Sequence, residues 1–190
     1  MFRIVPAAAA VIVVALMAFG SPAKVGAEQP IQLWLPWEGV TLWTYTQGPH
    51  GPNIEALDFQ PPDAAGKPCE LFHSSFWVIA AAPGTATVLA NAVEIDHGDG
   101  FSTAYYHLES KQVKTGDLVQ TGDRLGTPGC CPDGVGVNGC TSTAPHVHFY
   151  ALTHGVRELA FGLNLGGWRV NDDGCLERGG ERSCPLEGGA

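Results

Sequence analysis

A stretch of seven residues, Ala144–Tyr150 with the sequence APHVHFY, constrains the fold of this chain more than any other. Its valine, phenylalanine and tyrosine favour β-structure and its proline suits the start of a strand, so we predict a strand here. Because side chains alternate along a strand, they separate onto two faces: His146, His148 and Tyr150 against Val147, Phe149 and Ala151. On a helix the two histidines would point about 200° apart. The strand therefore directs two imidazoles into one site, although a strand with two solvent-facing histidines is the simpler alternative.

Short apolar segments bounded by turn residues fill the middle of the chain. We predict a strand over Phe76–Ala82 and a further strand system over residues 85–96, which ends in a hairpin turn at His97–Gly100. The strand over residues 101–107 alternates, and one of its faces is formed by Phe101, Thr103, Tyr105 and His107.

A small repeat with a period of six comes next, as VKTGD at Val113–Asp117 and VQTGD at Val119–Asp123. Each copy reads as a strand residue followed by a Gly-Asp turn, which is typical of compact β corners in barrels and sandwiches. No convincing amphipathic helix is found. We therefore predict an all-β fold with an antiparallel sheet core and long loops.

The N-terminus has the pattern of an export signal. Ile4–Phe19 is almost wholly apolar, and Val25–Ala27 offers the small residues of a signal-peptidase site. We expect cleavage after Ala27 and a secreted or periplasmic mature protein. An uncleaved membrane anchor is the alternative, but the apolar run is shorter than the ~20 residues that span a bilayer.

The net charge of the mature chain makes some classes of binding partner unfavourable. Removal of residues 1–27 leaves eight basic against 19 acidic residues, a net charge of −11. Nucleic acid and anionic membranes are therefore poor partners.

Six cysteines, all after residue 27, fit an oxidising compartment and up to three disulfides. We expect Cys175 to pair with Cys184, and Cys140 to pair with Cys130 or Cys131, because these loops are short and turn-rich. The alternative is a thiolate zinc site built from the latter three cysteines, but it lacks the usual C-x2-C spacing.

Five potential zinc ligands lie on strand ends or adjacent loops: His50, Asp58, His107, His146 and His148. A catalytic zinc takes three nitrogen or oxygen ligands and leaves a fourth position to water, whose pKa falls to about 7. Two histidines and the aspartate would suit such a site. The other two histidines would then accept a proton from the water and assist the oxyanion or the leaving amine.

The order of these motifs resembles the lysostaphin/LytM-type zinc metallopeptidases, secreted endopeptidases that cut peptide cross-links of bacterial peptidoglycan. The resemblance rests on His50 followed by Leu-Asp-Phe, on the segment Ile95–Leu108, on the repeat and on Pro145–Phe149, and it covers roughly residues 47–152. It implies a barrel-sandwich-like antiparallel core with a duplicated hybrid motif. The implied partner is the peptide stem or cross-link of peptidoglycan.

The resemblance also implies the roles of the five candidate residues. One zinc ion per chain would be held by His50, Asp58 and His148, while His107 and His146 would be catalytic. The sequence does not settle which of these two is the general base; we favour His146, since it flanks a ligand on the same strand face.

One spacing departs from the commonest family pattern. Seven residues separate His50 from Asp58, where three are usual, and this longer insertion resembles the β-lytic branch. If His50 did not reach the site, His73 would be the substitute, although a surface histidine is the simpler reading of it. We assign no chemistry to His97, expected in a hairpin turn, or to the surface residue His154.

Together, the export signal, the resemblance and the last two cysteines divide the chain into a predicted signal peptide (1–27), an N-terminal extension packing on the domain (28–46), a metallopeptidase domain (47–165) and a cysteine-containing tail (166–190). Two other function classes remain. The fold also occurs in non-catalytic wall-binding or hydrolase-activating relatives, which often lose ligands, whereas all five positions are occupied here. The Val-x-Thr-Gly-Asp repeat also resembles lipoyl and biotinyl carriers, but the chain has no lysine on a matching hairpin tip.

Overall fold

The computed structural model describes residues 31–39, 43–67, 73–130, 142 and 144–186. The predicted signal peptide lies outside this range, as do Cys69, Cys131 and Cys140. In the part of the chain that is described, no helix has the length and apolarity needed to cross a membrane.

The described residues form fifteen β-strands and one turn of 3-10 helix at Pro62–Ala64. In chain order the strands are β1 (Thr44–His50), β2 (Ala56–Gln60), β3 (Val78–Ile79), β4 (Gly84–Val88), β5 (Ala92–Asp96), β6 (Phe101–Tyr106), β7 (Leu108–Glu109), β8 (Leu118–Val119), β9 (Arg124–Pro128), β10 (Val147–Thr153), β11 (Val156–Arg157), β12 (Asn164–Leu165), β13 (Trp168–Val170), β14 (Leu176–Arg178) and β15 (Glu181–Ser183).

These strands build three antiparallel sheets. The largest has the order β1-β2-β10-β6-β5-β4-β8, with β11 paired to β10. A second contains β12-β13-β14-β15, and a third β3-β9-β7. The prediction of an all-β fold with an antiparallel core is therefore confirmed. In the large sheet, β10 lies between β2 and β6, so the strand predicted from APHVHFY is central.

The two faces of β10 differ as its alternating sequence predicts. Val147, Phe149 and Ala151 point into the main hydrophobic core, whereas His148 and Tyr150 point to the opposite face. Opposite residues of neighbouring strands share a face, so Tyr105, across from Phe149, is buried in the core, and Tyr106, across from His148, lies on the histidine face. We call the latter the site face of the large sheet.

The segment before β1 packs on the main core. Leu33, Trp37 and Trp43 are buried there, and the two indoles stack with ring centroids 5.4 Å apart. The backbone N–H of Trp34 donates to the carbonyl of Ala81. The domain boundaries drawn from the sequence stay predictions.

The C-terminal sheet β12–β15 contains the predicted disulfide between Cys175 and Cys184, which is confirmed. Cys130 is also disulfide-bonded, so its thiolate is not a zinc ligand. The pairing predicted for Cys140 lies outside the described residues.

This sheet contacts β1 close to its end. The hydroxyl of Tyr45 donates to the carbonyl of Gly174 (2.8 Å), and the N–H of Leu186 donates to the carbonyl of Tyr45 (3.3 Å). Gly48 is so close that a Cβ atom there would lie 3.0 Å from the ring of Pro185. The C-terminal sheet therefore supports the strand that ends in His50.

Candidate metal centre

Three adjacent strands bring the predicted zinc ligands together. β2 lies between β1 and β10, and Asp58 pairs directly with His148. His50, the last residue of β1, pairs with Ala56 of β2. One histidine therefore reaches the site from each side of the strand that carries the aspartate.

The ligand atoms of these residues converge. Nδ1 of His148 lies 3.0 Å from Oδ1 of Asp58, and Nε2 of His50 lies 3.2 Å from Nδ1 of His148 and 3.5 Å from Oδ2 of Asp58. All three ligand atoms lie within 4.8 Å of one another. Two nitrogens and a carboxylate oxygen at this spacing match a three-ligand zinc site with an open fourth position.

The hydrogen bonds of His50 provide a test of whether a cation fits. Its Nδ1 lies 2.8 Å from the carbonyl oxygen of Gly48, which can only accept, so Nδ1 carries the proton. In this tautomer Nε2 directs a lone pair toward the carboxylate of Asp58, 3.5 Å away. A cation between this nitrogen and the carboxylate would interact favourably with both. The three ligand atoms therefore fit a bound metal.

The seven-residue gap between His50 and Asp58 is accommodated by a hairpin. Residues 51–55 form its tip, and the β1–β2 register shifts twice, between Tyr45 and Gln47 and between Gln47 and His50. The extra residues therefore leave His50 beside Asp58.

Two further histidines border this group. The rings of His107 and His146 lie 4.6 Å apart, and that of His107 lies 5.8 Å from His148. His107, His146 and His148 form a second group of mutually close nitrogens. Nε2 of His146 lies 3.3 Å from Oδ2 of Asp58. The structure thus brings all five predicted residues to one place.

The position of His107 differs from the one that alternation predicts. Continued alternation would place its side chain in the core with Tyr105, but strand β6 ends at Tyr106 and His107 has a φ of 63°. This left-handed conformation turns the ring to the site face, next to His146. The prediction that His107 shares a face with Phe101, Thr103 and Tyr105 was therefore wrong.

Gly129 connects the two outer histidines through the backbone. Its N–H donates to the carbonyl of His107 (2.8 Å), and its own carbonyl accepts from the N–H of His146 (3.4 Å). This residue was not predicted from the sequence, because no local pattern signals a backbone bridge between two distant segments.

Burial governs the protonation of the site. Burial, together with smaller contributions from the neighbouring histidines, lowers the pKa of His107 to about 3. Burial also lowers the pKa of His146. For Asp58, burial acts to raise the pKa, but the hydrogen bond with His148 and the charges of the histidines outweigh it, and the pKa lies below its ordinary value. Near neutral pH His107 and His146 are therefore neutral imidazoles, close to the ionised carboxylate of Asp58.

The remaining described histidines lie outside both groups. The side chain of His73, the possible substitute ligand, is 83% exposed and pairs with Glu109. His97 is hydrogen-bonded to the carbonyl of Pro83 and to the hydroxyl of Thr103, and His154 is exposed.

A cleft of about 360 Å³ borders the metal centre. It lies between the end of β1, including His50, and residues before, within and after the C-terminal sheet, among them Phe161, Asp172 and Pro185. The C-terminal region therefore forms part of the surroundings of His50, the first predicted ligand.

An antiparallel β fold with two histidines, an aspartate and two more histidines around one point defines the class of β-sheet metallopeptidases. Residues 75–158 match the sequence profile of Peptidase family M23, and the chain carries a domain of this family. The matched segment includes His107, His146 and His148 but not His50 or Asp58.

Three curated relatives support the assignment. Protease LasA of Pseudomonas aeruginosa is 30% identical over 138 residues, 72% of this chain and 33% of LasA. The beta-lytic metalloendopeptidase of Achromobacter lyticus is 33% identical over 99 residues (52% and 26%), and the peptidoglycan DD-endopeptidase ShyC of Vibrio cholerae is 37% identical over 68 residues (36% and 14%). The chain thus spans about a third of the length of LasA and less of the others.

A solved structure agrees with the fold. The M23 metalloprotease pseudoalterin, from the deep sea, superposes with a TM-score of 0.67 at 27% identity, over 83% of this chain and 97% of pseudoalterin.

Proposed function

We propose that this protein is a secreted zinc endopeptidase that hydrolyses peptide cross-links of bacterial peptidoglycan. The observation that carries the proposal is the convergence of His50, Asp58 and His148 on one point, with His107 and His146 beside it. The relatives add the substrate class, since ShyC is named a peptidoglycan endopeptidase and LasA a protease.

The three converging residues would hold the zinc ion, which when bound polarises a water molecule and the scissile carbonyl. Asp58 supplies negative charge to the centre, and its lowered pKa keeps it ionised. Nδ1 of His50 donates to the carbonyl of Gly48, so Nε2 is the ring nitrogen that is available to the metal.

His146 has the arrangement of a general base. Its Nδ1 lies 2.8 Å from the carbonyl oxygen of Ala144, so Nδ1 carries the proton and Nε2 can accept one from the attacking water. The hydroxyl of Ser142, which donates to the same carbonyl, lies 3.3 Å from Nδ1. His107, in ring contact with His146, is placed to stabilise the oxyanion or to protonate the leaving amine.

Export of the protein is part of the proposal. Its support is the apolar segment of residues 4–19 together with a disulfide between Cys175 and Cys184, since disulfides persist in oxidising compartments.

The test uses purified sacculi with direct and with glycine-bridged cross-links, digested with and without a chelator, and the products are identified by mass. We expect peptide products from at least one wall type, lost with the chelator and with His148→Ala. The matched control, His73→Ala, removes an exposed histidine and should cleave as the wild type does. Zinc-loaded protein that binds sacculi but releases no peptide would support a wall-binding or activating role instead.

A further inference from the structure

A single arginine lies on the site face beside the metal centre. Arg157 of β11 pairs with Leu152 of β10, so it shares the face of Tyr150 and His148. Its guanidinium carbon lies 4.6 Å from the ring centre of Tyr150, which lies 5.9 Å from that of His148. The guanidinium is therefore no more than about 11 Å from the ligand ring, about three residues of extended peptide.

A buried carboxylate holds the guanidinium in place. Its Nη1 donates to Oε1 of Glu55 at 2.7 Å, and Glu55, which is only 1% exposed, also accepts from the N–H of Asn53. A buried carboxylate and an aromatic ring thus hold the guanidinium in position. Arginine has five N–H donors, and the side chain is 39% exposed, so donors remain available on the solvent side.

Arg157 carries a positive charge in surroundings that are otherwise neutral or negative on the strands of the large sheet. On the described strands of the large sheet, Arg157 is the only lysine or arginine. The chain as a whole carries a net charge of −9, and Asp58 lies in the metal centre itself. A peptide carboxylate that approaches the site face therefore finds a fixed guanidinium in Arg157, with a geometry suited to paired hydrogen bonds.

We infer that Arg157 determines specificity by binding a free carboxylate of the peptide substrate, within about three residues of the cleaved bond. This inference rests on the proposed endopeptidase function and adds the chemical class of the substrate to it. Tyr150 and Glu55 are positioning residues that hold the guanidinium on the site face.

The experiment compares pairs of synthetic stem-type peptides that differ only in one group, a free carboxylate or its carboxamide, placed one to four residues from the scissile bond on either side. For the wild type with zinc, kcat/KM should favour the carboxylate at one position. Arg157→Gln should lower this preference by roughly 10- to 100-fold, mainly through KM, as expected for a hydrogen bond to a charged group.

Two further variants separate binding from folding. Arg157→Gln leaves Glu55 buried without its partner, so the double variant Glu55→Gln/Arg157→Gln tests the same loss without a buried unpaired charge. The matched control is Arg124→Gln, since Arg124 also pairs with a glutamate (Glu38) and lies 4.8 Å from an aromatic ring (Trp77), on a strand of another sheet. It should keep the carboxylate preference.

The outcomes separate the two proposals. If the wild type cleaves the peptides but shows no carboxylate preference, or if both Arg157 variants keep it, the inference about Arg157 is overturned and the endopeptidase proposal stands. If zinc-loaded wild type cleaves neither peptides nor sacculi, the proposed function is overturned, and the inference with it.

Discussion

Backbone carbonyls set the tautomers of two site histidines in the same way. Nδ1 of His50 lies next to the carbonyl of Gly48 and Nδ1 of His146 next to that of Ala144, each two residues earlier in the chain. In both rings the proton is therefore on Nδ1 and the lone pair on Nε2. Local backbone geometry thus decides which nitrogen is available for a metal or a proton.

The two outer histidines should be separable from the ligands by mutation. We expect His107→Ala and His146→Ala to retain one zinc per chain and to lose activity by about 10²- to 10⁴-fold, the usual contribution of a positioned acid or base. His50→Ala should lose the zinc as well. Metal content by atomic emission and kcat on sacculi or peptides check this, and a zinc-free His146→Ala protein would contradict the assignment.

At the scale of elements, the bridge at Gly129 joins β9 to the segments of His107 and His146. A Cβ atom at Gly129 would lie 2.4 Å from the side chain of Glu109, which cannot be tolerated without movement. An alanine here would therefore displace the side chain of Glu109.

We expect Gly129→Ala to destabilise the fold by about 1–3 kcal/mol, the usual cost of overpacking, and to lower kcat because the two histidines shift apart. The double variant Glu109→Ala/Gly129→Ala removes the clash and should recover most of both losses. Urea unfolding and kcat are the measurements. Failure of the double variant to recover kcat would show that the contact with Glu109 is not what matters.

The elements also show what the sequence could and could not predict. Alternation correctly separated His148 from Val147 and Phe149, since β10 is a regular central strand. It failed for His107, because a left-handed residue ends the strand just there. The ion pair of Glu55 with Arg157 joins residues that are 102 positions apart, and no local sequence pattern predicts it.

At the scale of the whole molecule, a metal ion would tie three strands of the large sheet through residues far apart in sequence. Binding to the folded chain alone stabilises it by about 4 kcal/mol when free zinc is 1,000-fold above Kd. We expect a chelator to lower the melting temperature of the wild type and to leave that of His148→Ala unchanged. An equal shift in both proteins would indicate that the chelator acts elsewhere.

The support of β1 by the C-terminal sheet has a consequence for fragment design. A fragment restricted to residues 75–158, the family match, would omit His50 and Asp58. A fragment that also included β1 and β2 would still lack Gly174, which accepts from Tyr45, and Pro185, which packs close to Gly48. Chimeras that graft this domain onto a targeting module should therefore retain Leu33 to Leu186, because backbone hydrogen bonds join both of these residues to the rest of the fold.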